Sequence, residues 1–415
     1  MNIVYINHYA GSPRHGMEFR PYYMARRWKA AGHNVTVVAS SFSHLRTENP
    51  DLGGEKWREE TVGGVRYFWI AGNWYRGNGT ARIRNMLSFL RGLYRFRGKI
   101  ESYGRPDAVI ASSTYPLDIY PARRIARDSG AALVYEVHDL WPLSPIELGG
   151  MSPRHPYIRV MQKAEDDCYR FSDAVVSLLP NAKGHMVEHG MEPSKFVYIP
   201  NGIEASEWGK DFRSPPVYYG DLKKYRDDGF FLVGYAGAHG IANALDSYVE
   251  AGKMLKGKKA VLFSVGPGPE RERLIRKARD LGLEDVVRFL PPVERGRVPE
   301  LLDQMDALYI GLQRQPLFRF GVSPNKLMDY MMAAKPVIFA IDAPNDPVAE
   351  ARCGISVPPE DPGAIAQAVL KLAALPKEER KAMGGRGREY LLAHNEYGVL
   401  AREFARVLAR GKPED

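Results

Sequence analysis

The chain has 415 residues, enough for two or three domains each with its own core, and its 45% hydrophobic and 26% charged residues mark a globular protein without low-complexity tracts. The net charge of +9 is unevenly spread: residues 1–200 hold 26 Lys and Arg against 19 Asp and Glu, net +7, whereas residues 201–415 are net +2. Two cysteines, Cys168 and Cys353, lie far apart without metal-ligand spacing, which argues against a disulfide scaffold and fits free buried thiols in a reducing compartment. No apolar run reaches the length of a membrane span and "MNIVYINHYAG" enters a strand directly, so a cytoplasmic protein is expected.

In chain order, "NIVYINH" (2–8) reads as a strand, "EFRPYYMARRWKAAG" (18–32) as a helix and "HNVTVVASS" (33–41) as a strand. The stretch 76–100 then carries seven basic residues and no acidic one. Within it Ile83, Met86, Leu87, Leu90, Leu93 and Tyr94 recur at helical spacing, with Arg84, Arg91 and Arg95 between them. Such a helix over residues 80–100 suits the interface of an anionic membrane; the alternative is a core-packing helix with a solvated basic face. "PDAVIASS" (106–113), "ALVYEVHD" (132–139) and "AVVSLLP" (174–180) are further strands, separated by a helix ending at Gly130 and another over 156–173. In that second helix the acids of "EDDC" (165–168) are expected as surface charges, not as a magnesium cluster.

The pattern pauses at 203–229, rich in Pro, Gly and charge and read as a linker, then restarts with strands at 230–237, 260–266, 286–291, 306–312 and 335–341. The fold class expected is α/β, two Rossmann-like doubly wound domains facing a cleft, with the first domain at 1–202, the second at 230–390 and a C-terminal helical stretch, 391–415, packing near the linker. The helix between the last two strands is the crossover of a βαβ unit, so its N-terminus falls at the carboxyl edge of a parallel sheet, where such sheets bind ligands. "RFGVSPNKLMDYMM" predicts its start: Ser323 as N-cap, Pro324 at the first helical position, Lys326 in the first turn and Asp329 one turn later. Free amides, the helix dipole and Lys326 suit a phosphate, and Asp329 suits the ribose diol beyond it. The bland reading is a capped helix with a surface Lys and Asp.

The chain resembles glycosyltransferase family 4, retaining nucleotide-sugar transferases of the GT-B fold, and within it the bacterial aminosugar transferases of O-antigen and capsule assembly. The resemblance is carried over nearly the full length by "NHYAGSPRHGMEFRPYYMARRW", "YEVHDLWPLSP", "IPNGIE", "YAGAHGIANALD", "VGPGPERERL" and "FRFGVSPNKLMDYMMAAKPVI". It implies that the loop bearing His15, Gly16, Glu18 and Arg20 approaches the acceptor, with Glu18 also near the chemistry, and that His138, paired in sequence with Asp139, lies beside the transferred sugar. It further implies that Gly237, His239 and Asn243 lie under the diphosphate, that Gly266, Arg288 and Leu290 hold the base, and that Gly321, Val322, Ser323, Pro324, Asn325, Lys326 and Asp329 hold phosphates and ribose. Two departures stand out. Many members carry two glutamates eight positions apart, here Gly321 and Asp329; many also carry an Arg and a Lys after the first strand of the second domain, where this chain has "GAHGIANALD" and must use Lys326, with Arg319 or Arg314, for positive charge.

The resemblance implies transfer of a sugar, an N-acetylated hexosamine, from a UDP donor to a lipid-linked or saccharide acceptor at the inner face of the membrane. No cofactor and no metal are expected, and front-face attack would give retention. A nucleotide-sugar 2-epimerase of the same fold is the rival enzyme. A non-enzymatic basic protein binding membrane or nucleic acid is the rival without chemistry, although no aromatic and basic interleaving typical of RNA modules is present.

Overall fold

The structure, a computed structural model, describes residues 1–77, 79–208 and 216–410. It divides into two compact units, Met1–Gly202 with Tyr397–Asp415, and Ile203–Glu396.

The first unit is built on an eight-stranded sheet of β1 (Asn2–Ile6), β2 (Asn34–Ser40), β3 (Trp57–Val62), β4 (Val65–Ile70), β5 (Ala108–Ala111), β6 (Ala132–Val137), β7 (Ala174–Ser177) and β8 (Phe196–Tyr198). Its spatial order is β3-β4-β2-β1-β5-β6-β7-β8, with only β3 antiparallel to its neighbour. The chain leaves β1 toward β2 on one side and returns to β5 on the other, so the switch in strand order lies between β1 and β5. The sequence reading missed the hairpin β3-β4 and the short β8. "WREETV" carries three charged residues in a row because β3 is an edge strand largely open to water, which hides it among loop-like residues.

The second unit has β9 (Phe231–Ala236), β10 (Ala260–Val265), β11 (Val287–Leu290), β12 (Ala307–Gly311), β13 (Val337–Ala340) and β14 (Gly354–Ser356), all parallel, in the order β11-β10-β9-β12-β13-β14. Its switch lies between β9 and β12. Leu232 and Val233 fall in different hydrophobic clusters, one on each face of the sheet, as the period-2 pleat requires. Burial on both faces explains the continuous apolar runs from which these strands were read.

Two expected boundaries differ. The described part of 203–229 belongs to the second unit and contains a helix, Tyr219–Asp227, anchored by the fully buried Leu222. The rest of that segment, 209–215, lies outside the described residues, as do 411–415 of the expected C-terminal stretch. The final helix, Tyr397–Arg410, packs in the first unit along Arg20–Ala30: Trp28 Nε1 donates to Ala401 O at 2.8 Å and meets Phe404 edge-on, and Tyr23 stacks on Tyr397. Cys168 and Cys353 are both free and buried.

The basic stretch forms the helix Thr80–Arg95. Met86, Phe89 and Leu93 face the interior, while Ile83, Leu87 and Tyr94 are exposed alongside Arg84, Arg91 and Arg95. The inner face of the helix is thus core-packing, and its outer face carries cations beside exposed apolar side chains. No helix among the described residues is long and apolar enough to cross a membrane.

Candidate functional site

In the second domain the site grows from the loops at the carboxyl ends of β9, β10 and β12. After Ala236 the backbone turns at Gly237, whose N–H donates to Val265 O at 2.9 Å. Gly266, at φ +146°, packs so closely that a Cβ would stand 2.0 Å from Gly237 O, and Gly268, at φ +152°, would place one 2.4 Å from His239 O. The two loops thus lie backbone against backbone, an approach that only glycine permits, and this gives "VGPGPE" its reason. Gly237 also opens a slot: a Cβ there would meet Lys326 Cδ at 2.5 Å.

The crossover helix runs Asn325–Met332, with Pro324 itself at the N-cap and no side-chain cap bond. This corrects the expected Ser323 cap. Pro324 holds an extended ψ of 124° and so stands outside the helix, which starts one residue later than expected. Tyr330, on the buried face, bolts the helix to the end of β9 by accepting from Ala236 N at 2.9 Å and donating to Ala236 O at 3.1 Å.

Lys326 runs through the Gly237 slot. Its ammonium donates to Tyr235 Oη at 3.1 Å and to Asn243 Oδ1, and lies 5.0 Å from the Tyr235 ring centroid. All these partners are neutral, and burial lowers its pKa from 10.5 to about 8. Asp329 is 4% exposed and accepts a two-pronged bond from Arg295, one arm at 2.8 Å, with Arg295 itself mostly in water. The sequence reading missed Arg295, which arrives from 34 positions earlier in the chain. It also missed Asn345, which grips the Val322 backbone in both directions at 2.9 and 2.8 Å and so fixes the turn before the helix.

The other expected donor residues fall around this centre to differing degrees. Asn243 also donates to Ala238 O, and Gln313 N reaches Ala242 O, joining the loops that flank the switch point. His239 is fully buried, with Nε2 on Ser264 Oγ at 2.7 Å. Burial lowers its pKa and keeps it neutral. Gly321 adopts φ +100°, so the backbone at the position of the missing glutamate is itself one that side chains rarely tolerate. Arg288 is exposed and bonds Glu284 O, Leu290 is half-buried, and Asn325 is exposed. Arg314 and Arg319 are exposed; Arg319 folds back onto Pro316 O and the Phe320 ring.

In the first domain, β6 carries Glu136 into a fully buried network. Its carboxylate accepts from Arg20 Nε at 2.9 Å, Tyr5 Oη at 2.5 Å and Ser112 Oγ at 2.6 Å, and His138 Nε2 lies 3.2 Å away. Burial alone would raise the Glu136 pKa, but Arg20, then His138 and Ser112, hold it well below the usual carboxylate range. His138 is thereby gripped through Nε2 at the end of its strand. Arg20 is completely enclosed, with its other nitrogens on Pro200 O and Ile199 O, so it reaches any acceptor only through Glu136 and His138. Glu18 accepts from Arg20 N at 3.3 Å where the next helix begins. His15 is 1% exposed, held by Ser12 Oγ and packed on Trp69, so its ring is withdrawn into the loop. Gly16, at φ +94°, makes room for Thr47. Asp139 caps the following turn through Leu140 N and Ser144 Oγ. The acids at 165–168 correct the expectation of surface charge: Glu165 and Asp167 are buried, because that face of the helix Pro156–Phe171 turns inward.

Residues 15–202 match the family described as "Glycosyl transferase 4-like domain", and residues 231–374 match "Glycosyl transferases group 1". No curated protein sequence matches significantly. Among solved structures, sucrose-phosphate synthase from Thermosynechococcus elongatus is similar at 16% identity with TM-score 0.73, covering 99% of both chains. Anabaena Alr3699/HepE in complex with UDP is similar at 15% with TM-score 0.67, over 99% of this chain and 100% of that one. A glycosyltransferase from Rickettsia africae is similar at 14% with TM-score 0.68, over 100% and 99%. The fold is GT-B, two Rossmann-like α/β domains, and the chain is related through each of them to a glycosyltransferase domain family, the 4-like family in the first and group 1 in the second.

Proposed function

We propose that the protein is a retaining glycosyltransferase that moves a sugar from a nucleoside diphosphate, UDP, to a lipid-linked saccharide in bacterial surface-polysaccharide assembly, with an N-acetylated hexosamine as the sugar. The observation that carries this reading is Lys326: a largely buried cation at the start of a crossover helix, at the strand-order switch, whose described partners are all neutral. A diphosphate would supply the missing countercharge, and helix amides would take its remaining oxygens. HepE is described in complexes with UDP and with UDP-glucose.

In the transfer, the bond from the anomeric carbon to the diphosphate oxygen breaks as the acceptor oxygen attacks from the same face. The leaving oxygen takes the acceptor proton, and Lys326 with the helix N-terminus stabilises the charge that develops. His138, held through Nε2, presents its other ring nitrogen to the sugar. Asp329 receives the ribose diol in exchange for part of its bond to Arg295. The chemistry asks for no metal from these residues. The exposed face of the helix Thr80–Arg95 would rest on an anionic leaflet, its cations unbalanced by any acid within the stretch.

The test is calorimetry and thermal shift with UDP, GDP, ADP, CDP and TDP, with and without Mg²⁺, beside Asp329→Ala. Selective binding of UDP that needs no Mg²⁺ and weakens in the variant is the expected result. Absence of binding by any diphosphate would overturn the reading.

A further inference from the structure

Away from the residues assigned to transfer, the first domain brings a second set of chemical groups together. The helix Lys183–Glu188 places His185 and His189 one turn apart, with His189 N donating to His185 O at 3.1 Å, so that the two rings share a face with centroids 4.5 Å apart. The longer helix Pro156–Phe171 offers Glu165 to that face, and one ligand atom from each of Glu165, His185 and His189 lies within 4.8 Å of the others. We propose that Glu165, His185 and His189 form a divalent transition-metal site, suited to zinc, that fastens these two helices.

Three features support a metal over a simple histidine and acid contact. First, His185 Nε2 and Glu165 Oε1 are 3.5 Å apart, at the outer limit of a hydrogen bond. Two ligands of one tetrahedral zinc stand roughly 3.3 Å apart, from bonds of about 2.0–2.1 Å to each. Second, Glu165 is 1% exposed, and its described partners are Tyr169 Oη at 2.8 Å, Gln162 Nε2 at 2.8 Å and His185, with no lysine or arginine among them. A buried carboxylate needs a countercharge, which an ion would supply while leaving both imidazoles neutral, the form that ligates. Third, the surroundings already resemble an outer shell: Asp166 Oδ1 lies 3.0 Å from His189 Nδ1, and Gln162 Nε2 is 2.9 Å from that same nitrogen and from Asp166. Two imidazoles and one carboxylate on helices select zinc or its late first-row neighbours over Mg²⁺, and water completes the four-coordinate shell. The ion serves as a staple and takes no part in sugar transfer.

The experiment uses tag-free full-length protein stripped with a chelator and titrated with ZnCl2 by calorimetry, with MgCl2 as control, followed by thermal shift. Zinc should bind in a one-to-one ratio and raise the melting temperature, and MgCl2 should do neither. Cobalt should give the intense visible bands of a tetrahedral site. Glu165→Gln and His185→Gln should abolish saturable zinc binding. His189→Gln, at a partly exposed ring, should weaken it at least tenfold with an unchanged circular dichroism spectrum, and decides the matter if the buried variants fold poorly. UDP binding should be the same in wild type and His189→Gln. No saturable zinc binding, or binding equally tight in His189→Gln, overturns the proposal.

Discussion

Replacing Lys326 with methionine separates what the second domain needs to fold from what it needs to bind. Methionine keeps the unbranched stem that threads past Gly237 and removes the charge. The gap between 10.5 and about 8 measures the cost of holding the ammonium in place, roughly 3 kcal/mol at 1.36 kcal/mol per pKa unit. Against this, the variant loses two hydrogen bonds from a charged donor, to Tyr235 and Asn243, which at about 1.5 kcal/mol each offset that cost. The empty variant should therefore keep wild-type stability to within about 1 kcal/mol, a shift of no more than roughly 2–4 °C in the transition of the second domain. UDP affinity should fall by one to two orders of magnitude, since a charge-assisted hydrogen bond contributes about 1.5–3 kcal/mol. Differential scanning fluorimetry reads the first effect and calorimetry the second. A lower melting temperature together with unchanged UDP affinity would refute the reasoning, because Lys326 would then be a structural residue.

The same lysine predicts a pH dependence. Burial lowers its pKa to about 8 in the empty protein, so the ammonium is present at pH 7 and must be regained from solution at pH 9; UDP affinity should drop by up to about tenfold between these values, and a flat profile in calorimetry would count against an ammonium contact. Asp329→Ala should weaken UDP at least tenfold while changing stability by under about 1 kcal/mol, since its partner Arg295 can turn to water; equal affinity in a titration would remove the ribose role. Gly268→Ala should cost roughly 1–3 kcal/mol and weaken UDP, as its Cβ would press on His239 O, and a variant with wild-type melting and binding would show that the two loops can separate freely. Arg84, Arg91 and Arg95 changed together to Gln should release the protein from anionic vesicles in a sedimentation assay, and undiminished co-sedimentation would show that this face does not touch the membrane.

Much of this architecture was legible because parallel strands buried on both faces write unbroken apolar runs. "FFLVGYAG", "AVLFSVG" and "KPVIFAI" needed no partner to be recognised. Of the strands that escaped notice, β3, β8 and β14 are edges or short pieces whose residues are set by solvent on one side, whereas β4 is an interior strand, buried along most of its length, that went unread with its hairpin partner β3. In the candidate site, Lys326 and Asp329 could be singled out from their place on a crossover helix, because helix spacing and dipole are local properties. Their surroundings could not. The slot for Lys326 exists because position 237 has no side chain, and Asp329 is held by an arginine brought in by tertiary packing. Likewise "YEVHD" drew attention to His138, whereas the residue that holds it, Glu136, reads in sequence as one polar interruption of a strand. Its role depends on Arg20, Tyr5 and Ser112, from three other elements.

The distribution of countercharge and of backbone acceptors tells these buried cations apart more clearly than residue type does. Arg20 and Glu136 are both fully buried and answer one another, so neither has reason to attract an ion from solution, even though a sequence reading places Arg20 at the acceptor. Arg46, also buried, is distributed over the carbonyls of Ala10, Ser40 and His8 and braces the loop after β1. Lys326 lacks the carboxylate that Arg20 has, and it is held by one phenol and one amide where Arg46 is spread over three carbonyls; burial depresses its pKa, so a diphosphate arriving there would remove a cost the empty fold bears. A purely structural lysine in that slot would leave UDP affinity untouched when replaced by methionine, so a fold of near wild-type stability with weakened UDP binding in Lys326→Met is the outcome that a nucleotide site requires and a structural one does not produce.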